Sequence, residues 1–547
     1  MTATLTRPAV ATRGHALVGT WHLTRLALRR DRVILPIWIV LLSVVPAGTV
    51  SSYNQFYPDA ASRAALTAGA AANPSFSLLY GPAFDLTTAG GFIAWRLGGF
   101  LALLVGLMAV FTVTRHTRAE EDTGRAELLA STVVGRYAAL TAAVAVSGAA
   151  SLLIGLIQVA TMSSAKLPAA GALAFGAGTA GAGLVFTAVA AVAVQLAEYS
   201  RTANGIGTAV IGVAFLLRGA GDSTSDARWL SWLSPIGWAQ QTRPFAGERW
   251  WVLLLPAAAT VVLGAAGYAL LPRRDVGTGL VPPRPGRPAA KPSLRSAFAL
   301  AWRLQRGPLL GWVIGFAVGG ALFGSIASGI SGLVGDTEQT RQIFERLGGS
   351  DAIVDAFLAA MVSLFAMLSA LYGVQATLRM RSEETGVRFE PLLATRVSRL
   401  RLAASHLVFA YAGTALLVLV GGVFMGISHG LRSGGGTTVG SAVGDLLTAV
   451  LVQVPATWVI VSVCVLLFGV LPRFTGLAWA AGALGLLISL FGPVVNAPQA
   501  VLDVSPFQHP PKIPGAPFTA TPLVWLLVVA VMALVAGLAG WRRRDVG

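Results

Sequence analysis

Residues 137–162 read YAALTAAVAVSGAASLLIGLIQVATM, an apolar run with no charged side chain. Residues 443–470, VGDLLTAVLVQVPATWVIVSVCVLLFGV, carry a single carboxylate, Asp445, near their start. A helix crosses the hydrocarbon of a bilayer with about 20 apolar residues, so each run is long enough to span. Working outward, comparable segments lie at about 33–50, 96–114, 170–195, 205–217, 249–271, 309–329, 359–378, 402–427, 477–496 and 521–541. The pattern predicts an all-α polytopic membrane protein of about twelve transmembrane helices. The fifth segment, 205–217, is too short to cross alone and would need residues beyond it.

Composition agrees. Of 547 residues, 55% are hydrophobic and 12% charged, and the mean hydropathy is +0.71. Soluble proteins carry about twice that charged fraction, which excludes a string of ordinary soluble domains. Only Lys166, Lys291 and Lys512 are lysines among 40 basic residues, a bias expected of a GC-rich bacterial genome. The lone Cys464 excludes a disulfide framework or a cysteine metal site. Residues 1–32 hold six arginines and no long apolar stretch, so the first span reads as a retained helix.

With the N-terminus placed in the cytoplasm, the inner segments hold 29 of the 40 basic residues, and the acidic residues divide 11 inside and 12 outside. The inner side is then net +18 and the outer side net −1, as the positive-inside rule requires. Both termini are expected in the cytoplasm. The basic balance is met by orientation and anionic lipid. No nucleic-acid partner is expected, because the arginines are scattered over separate loops.

The chain reads as an internal duplication. Arg273-Arg274-Asp275-Val276-Gly277 recurs as Arg543-Arg544-Asp545-Val546-Gly547, 270 residues later. Arg29-x-x-Arg32 with Trp38 recurs as Arg303-x-x-Arg306 with Trp312, and Ser234-Pro235 recurs as Ser505-Pro506. Six spans per half return the chain to the same side, so the repeats are expected to be parallel. The expected organisation is a first half at 1–277, a Pro/Arg-rich linker at 278–296 and a second half at 297–547, with an amphipathic segment before each first span.

The closest internal match lies in two loops expected in the cytoplasm, RAEEDTGRAELLASTVVGR (118–136) and RSEETGVRFEPLLATRVSR (381–399). Glu120-Glu121 pairs with Glu383-Glu384, Gly124 with Gly386, Arg125 with Arg388 and Glu127 with Glu390. Allowing small indels, Leu128-Leu129-Ala130-Ser131 pairs with Leu392-Leu393-Ala394-Thr395. Each loop is expected to hold a short amphipathic helix. Its acidic pair would sit at the positive dipole end, the Leu-Leu pair would form an apolar face, and Arg136 or Arg399 would follow. Two readings stand: a docking element for a partner, or a solvated loop whose charges only fix topology.

The second loop resembles the coupling-helix loop of type-2 ABC exporter permeases, through Glu-x-x-Gly-x-x-x-Glu-x-Leu-Leu-Ala-Thr-x-Val-Ser-Arg from Glu383 to Arg399, including Thr395 and Ser398. The first loop departs from it at Thr132 to Gly135. The resemblance covers nearly the whole chain and extends to fused twelve-span polyketide-antibiotic and multidrug exporter permeases of tetronasin-resistance type. It implies a permease in the bacterial inner membrane that forms the path for hydrophobic drugs or antibiotics. A separate cytoplasmic ATPase would dock on both loops. ATP and Mg²⁺ would belong to that partner, with no cofactor in this chain. Two docking loops in one chain imply two ATPase copies and no permease homodimer. The three lysines follow Ala165, Ala290 and Pro511, so no Gly-Lys-[Ser/Thr] phosphate loop exists here.

Other chemistry is weakly signalled. Gly426-Ile427-Ser428-His429-Gly430 matches G-x-S-x-G in letters only, since it falls within an apolar helix rather than a strand-turn-helix elbow. The six histidines form no metal-spaced pair. Neither a catalytic residue nor a metal site is expected. Gly311, Gly315 and Gly319 form a small-residue stripe suited to close helix packing. Phe100, Leu104, Met108 and Phe111 on the second span, and Met361, Phe365, Leu368 and Tyr372 on the eighth, follow helical spacing. They read either as packing or as the wall of a substrate path. A proton-coupled secondary antiporter is the competing function. It would need carboxylates or histidines at membrane depth, whereas the span centres are almost free of ionisable groups, with His406 the nearest exception.

Overall fold

A computed structural model describes residues 16–72, 74–223, 226–282, 286, 288–327, 350–433, 438–491 and 498–544. The chain divides into two compact units, Met1–Gly286 and Arg287–Gly547. All regular structure among the described residues is helical. Eleven helices there are long and apolar enough to cross a membrane. Inside a bilayer each segment must satisfy its own backbone, which a helix does.

The first unit runs α1 (Thr20–Arg30), α2 (Ile34–Phe56), α3 (Ala60–Ala72), α4 (Pro74–Tyr80), α5 (Ala89–Arg115), α6 (Arg118–Asp122), α7 (Arg125–Ala130), α8 (Ala138–Ser164), α9 (Ala169–Leu196), α10 (Ser200–Ser223), α11 (Pro235–Gln241) and α12 (Leu254–Leu270). The second runs α13 (Ala297–Ala327), α14 (Ser350–Thr385), α15 (Phe389–Leu393), α16 (Arg399–Arg432), α17 (Val439–Val470), α18 (Leu477–Phe491), α19 (Gln499–Leu502) and α20 (Thr521–Arg543). The long helices fall where the apolar runs place them, and α18, at 15 residues, is the short member. Residues 492–496, read as the end of the eleventh span, lie outside the described residues.

The fifth span corrects the reading. It is not a fragment over 205–217 but a helix of 24 residues, α10. Hydropathy ends the run at Arg218, whereas the helix carries that arginine inward, fully buried, and continues to Ser223.

In each unit the fourth long helix is the most enclosed. α9 packs against α5, α8 and α12, and α17 packs against α14, α16 and α20. Phe186 and Val185 of α9, and Val450, Val461, Cys464 and Phe468 of α17, are buried. The small-residue stripe packs on other members than expected. Ideal Cβ atoms at Gly311 and Gly315 would meet nothing within 4 Å, and one at Gly319 would meet only Phe365 at 3.2 Å. Gly320 and Gly324, one residue further round α13, carry the close approach. Cβ atoms there would lie 2.3 Å from the Gly421 carbonyl oxygen and 2.1 Å from that of Met425.

The two Ser-Pro motifs share a structural cause. Ser234 Oγ donates to the Ala214 carbonyl at 2.7 Å, and Ser505 Oγ to the Gly485 carbonyl at 3.0 Å. Each serine ties the chain after the fifth long segment of its unit back to that helix, at one offset of 271 residues for both partners. The amphipathic segments differ. α1 is a separate helix ahead of α2, whereas residues 297–306 run without a break into α13.

Candidate functional site

The predicted loops are the ends of the bundle where charge gathers. In the first unit α5 stops at Arg115, and α6 and α7 follow before α8 begins. Arg118 is fully buried and bonded through all three nitrogens. Its Nε donates to the Val194 carbonyl at 2.6 Å, Nη2 to that of Thr278 at 2.7 Å, and Nη1 meets the Glu121 carboxylate at 2.7 Å. Arg274, just beyond α12, grips the same carboxylate with both terminal nitrogens, at 2.8 and 2.9 Å. Its Nε donates to Gln195 Oε1 at 2.7 Å. Arg136, leading into α8, donates to the Arg274 carbonyl at 3.4 Å. Paired, charge-assisted contacts are the form in which buried ions are tolerated.

The second unit builds the same latch. Arg381 Nη1 meets Glu384 at 3.0 Å, Arg544 Nη2 meets it at 2.8 Å, and Arg399 Nη1 donates to the Arg544 carbonyl at 2.6 Å. Arg544 is also flanked by the rings of Phe468 and Trp541, each 4.8 Å from the guanidinium carbon. Arg118, Glu121 and Arg136 correspond to Arg381, Glu384 and Arg399 at an offset of 263, and Arg274 to Arg544 at 270. In each unit one carboxylate fastens the loop after the second long helix to the end of the last.

Backbone geometry fixes the register between the loops. Gly124 adopts φ +71°, and the second loop turns left-handed not at Gly386 but at Val387, with φ +55°. Gly124 therefore matches Val387, again 263 residues apart. The whole loop aligns without an indel, and the Leu-Leu pairs are offset by one residue.

The acidic pair does not begin a short helix in the second unit, because Glu383 and Glu384 close the long α14. In the first unit Glu120 and Glu121 lie in α6. Glu120 pairs with Arg30 of α1, and this hydrogen bond raises the Arg30 pKa above its ordinary value. Arg125 lies 3.9 Å from Glu120. Glu383 pairs with Arg379 at 2.7 Å and Arg388 at 3.2 Å. Glu127 and Glu390 are exposed. The expected Leu-Leu face is only partly free. Leu128 is 73% exposed, whereas Leu392 and Leu393 are half-buried against Phe389, Phe468 and Trp541. The side chain of Leu129 lies outside the described residues. Thr395 Oγ1 turns back to the Leu392 carbonyl at 2.6 Å, and Ser398 caps α16 by accepting from Arg401 N at 3.3 Å. Behind the first loop a cavity of about 440 Å³ is lined by Leu23 and Leu26 of α1, Val134, Leu140, Arg136 and Arg274.

The aromatic stripes divide. Met108, Phe365 and Tyr372 are buried. Phe365 packs on Phe316 with centroids 5.1 Å apart, and Tyr372 donates to the Phe409 carbonyl at 3.1 Å. Phe100, Leu104, Met361 and Leu368 are half-buried, and Phe111 is exposed. Packing accounts for the buried three.

Sequence reasoning singled out both ends of each latch but did not join them. The available signal was that two oppositely charged motifs were each kept twice, beside spans that end on the same side. It also passed over Arg218, whose charge ended the apolar run.

A family described as "Multidrug efflux system permease Rv1217c, C-terminal domain" matches residues 24–270 and 294–542. The multidrug efflux system permease protein Rv1217c of Mycobacterium tuberculosis is 45% identical over 539 residues, covering 98% of this chain and 96% of that protein. The chain therefore belongs to the Rv1217c family of multidrug efflux system permeases.

Proposed function

We propose that this chain is the membrane-spanning permease of an ATP-driven ABC exporter of the kind that carries polyketide antibiotics and other hydrophobic drugs. It sits in the bacterial inner membrane with both termini in the cytoplasm. Residues 1–277 and 297–547 are its two permease halves, and 278–296 links them. Two copies of a separate ATPase, which hold ATP and Mg²⁺, dock on the loops 118–136 and 381–399. One permease chain supplies both docking sites. The half-buried Phe100, Leu104, Met361 and Leu368 and the exposed Phe111, on the second and eighth spans, contribute to the substrate path.

The observation that carries this reading is the latch built twice. A loop pressed by a partner at Glu121 or Glu384 pulls on Arg274 or Arg544, and so on the last long helix of the same unit. A solvated loop that only fixed topology would need no buried ion pair. The proton-antiporter reading finds less support. Among the described residues the helix-borne carboxylates lie within about two turns of a helix end.

The test uses positions that are exposed, so that folding is spared. In a complex of the chain with its ATPase, the double variant Leu128→Asp, Glu390→Arg should remove drug-stimulated ATP hydrolysis while the permease still elutes as a single folded species. Unchanged hydrolysis and export in that variant would remove the docking role.

A further inference from the structure

The cavity behind the first loop lies at the level of a bilayer surface. α8 begins beside it, and α5, α9 and α12 end beside it. Its volume of about 440 Å³ falls in the range of small-molecule sites, whereas packed interiors leave few voids larger than a water. α1, which forms one wall, has the character of an interfacial helix. Trp21 is 70% exposed, Leu26 and Leu28 are exposed with it, and Arg25, Arg29 and Arg30 lie on the same helix. Exposed apolar and basic side chains just ahead of a first span suit the headgroup region of a membrane.

Six charged side chains line the cavity, three of each sign. Four are matched, Arg30 with Glu120 and Arg274 with Glu121. His116, also in the wall, is held by Asp31 at 2.8 Å. Arg136 and Asp275 remain, and both are exposed. Arg136 makes only the 3.4 Å bond to the Arg274 carbonyl. Neither side chain forms an ion pair, with the other or with any of the described residues. Leu23, Leu26, Val134 and Leu140 supply apolar wall. A free charge of each sign beside an apolar pocket fits a molecule with both charges at one end and an apolar chain at the other. A simple anion would face Asp275, and a simple cation would face Arg136.

We propose that this cavity binds a zwitterionic phospholipid with a primary ammonium headgroup, such as phosphatidylethanolamine. Arg136 takes the phosphate, which its fork of N–H donors matches. Asp275 takes the ammonium, and an acyl chain lies along Leu23, Leu26, Val134 and Leu140. Glu121 and Arg274 are part of the wall, so the lipid backs the latch. The site needs neither an ATPase nor a cargo, and it stands or fails apart from the exporter reading.

The probes are phosphatidylethanolamine and phosphatidylglycerol carrying the same diazirine acyl chain. Each is photo-crosslinked to the purified full chain in detergent micelles, and label on residues 23–27 and 134–142 is measured by peptide mass spectrometry. The wild type should take up about threefold more of the ethanolamine lipid, the scale of one partly exposed ion pair. Asp275→Lys should reverse that preference, because it replaces the free carboxylate with a second cation. Ala139→Trp, which fills the cavity from an exposed position on α8, should remove this label for both lipids and leave label elsewhere unchanged. A wild-type ratio of one or below would overturn the proposal, and so would an unchanged ratio in Asp275→Lys or persistent label in Ala139→Trp. Loss of label to an equal concentration of glycerophosphoethanolamine, the same headgroup without chains, would overturn the lipid assignment in favour of a soluble zwitterion.

Discussion

Glu121 and Glu384 each accept from two arginines in a place nearly closed to water. Removing one member of such a group leaves its partners charged and unpaired. Glu121→Ala should cost about 3–5 kcal/mol of stability, whereas Glu127→Ala, exposed on the next helix, should stay within about 0.5 kcal/mol. Thermal unfolding of the two purified variants checks the contrast, and equal melting temperatures would show that the latch contributes nothing. At this scale the sequence was half legible. The repeated Glu-Glu and Arg-Arg-Asp motifs were visible as repeats. What joined them was the fold, which brings residues 153 positions apart, such as Glu121 and Arg274, to 2.8 Å. Arg218 was misplaced for a related reason. Hydropathy treats a charge as a boundary, while a helix that can bond and stack its arginine runs past it.

Spans as elements were legible because lipid leaves the backbone one local solution, and long apolar runs announce it. Faces were harder. The i, i+4 spacing of Gly311, Gly315 and Gly319 fits a packing stripe, yet the true contact is one residue further round, at Gly320 and Gly324. Spacing gives a face but not its partner. Gly324→Leu should therefore disrupt the seating of α13 on α16, with a loss of about 1–3 kcal/mol or more from overpacking. Gly315→Leu, which meets open space, should express and melt like the wild type. Thermal melts in detergent distinguish them, and equal tolerance at both positions would show that the close approach is not needed. The loop register shows a similar limit. Matching Leu-Leu with Leu-Leu suggested an indel, whereas the left-handed turns at Gly124 and Val387 show that none exists.

For the molecule as a whole, the number of docking loops sets the expected number of partners. Each unit carries a latch and a loop, so one chain should engage two ATPase copies. Native mass spectrometry of the detergent-purified complex should find one permease with two ATPase chains. Two permeases per particle, or a single ATPase, would contradict that count. The loops present different surfaces, an exposed Leu128 in one and an exposed Pro391 at the matching position of the other. Identical ATPases would then meet non-identical partners.

Arg218 and Ser489 show what such a chain permits. In a transporter assembled from two products of one short gene, every codon change appears twice. An arginine placed in the membrane would arrive as a pair, at double the desolvation cost. Once both copies lie in a single reading frame, a mutation alters one and spares the other. A buried arginine in one half alone, with serine at the matching position of the other, then becomes an accessible step.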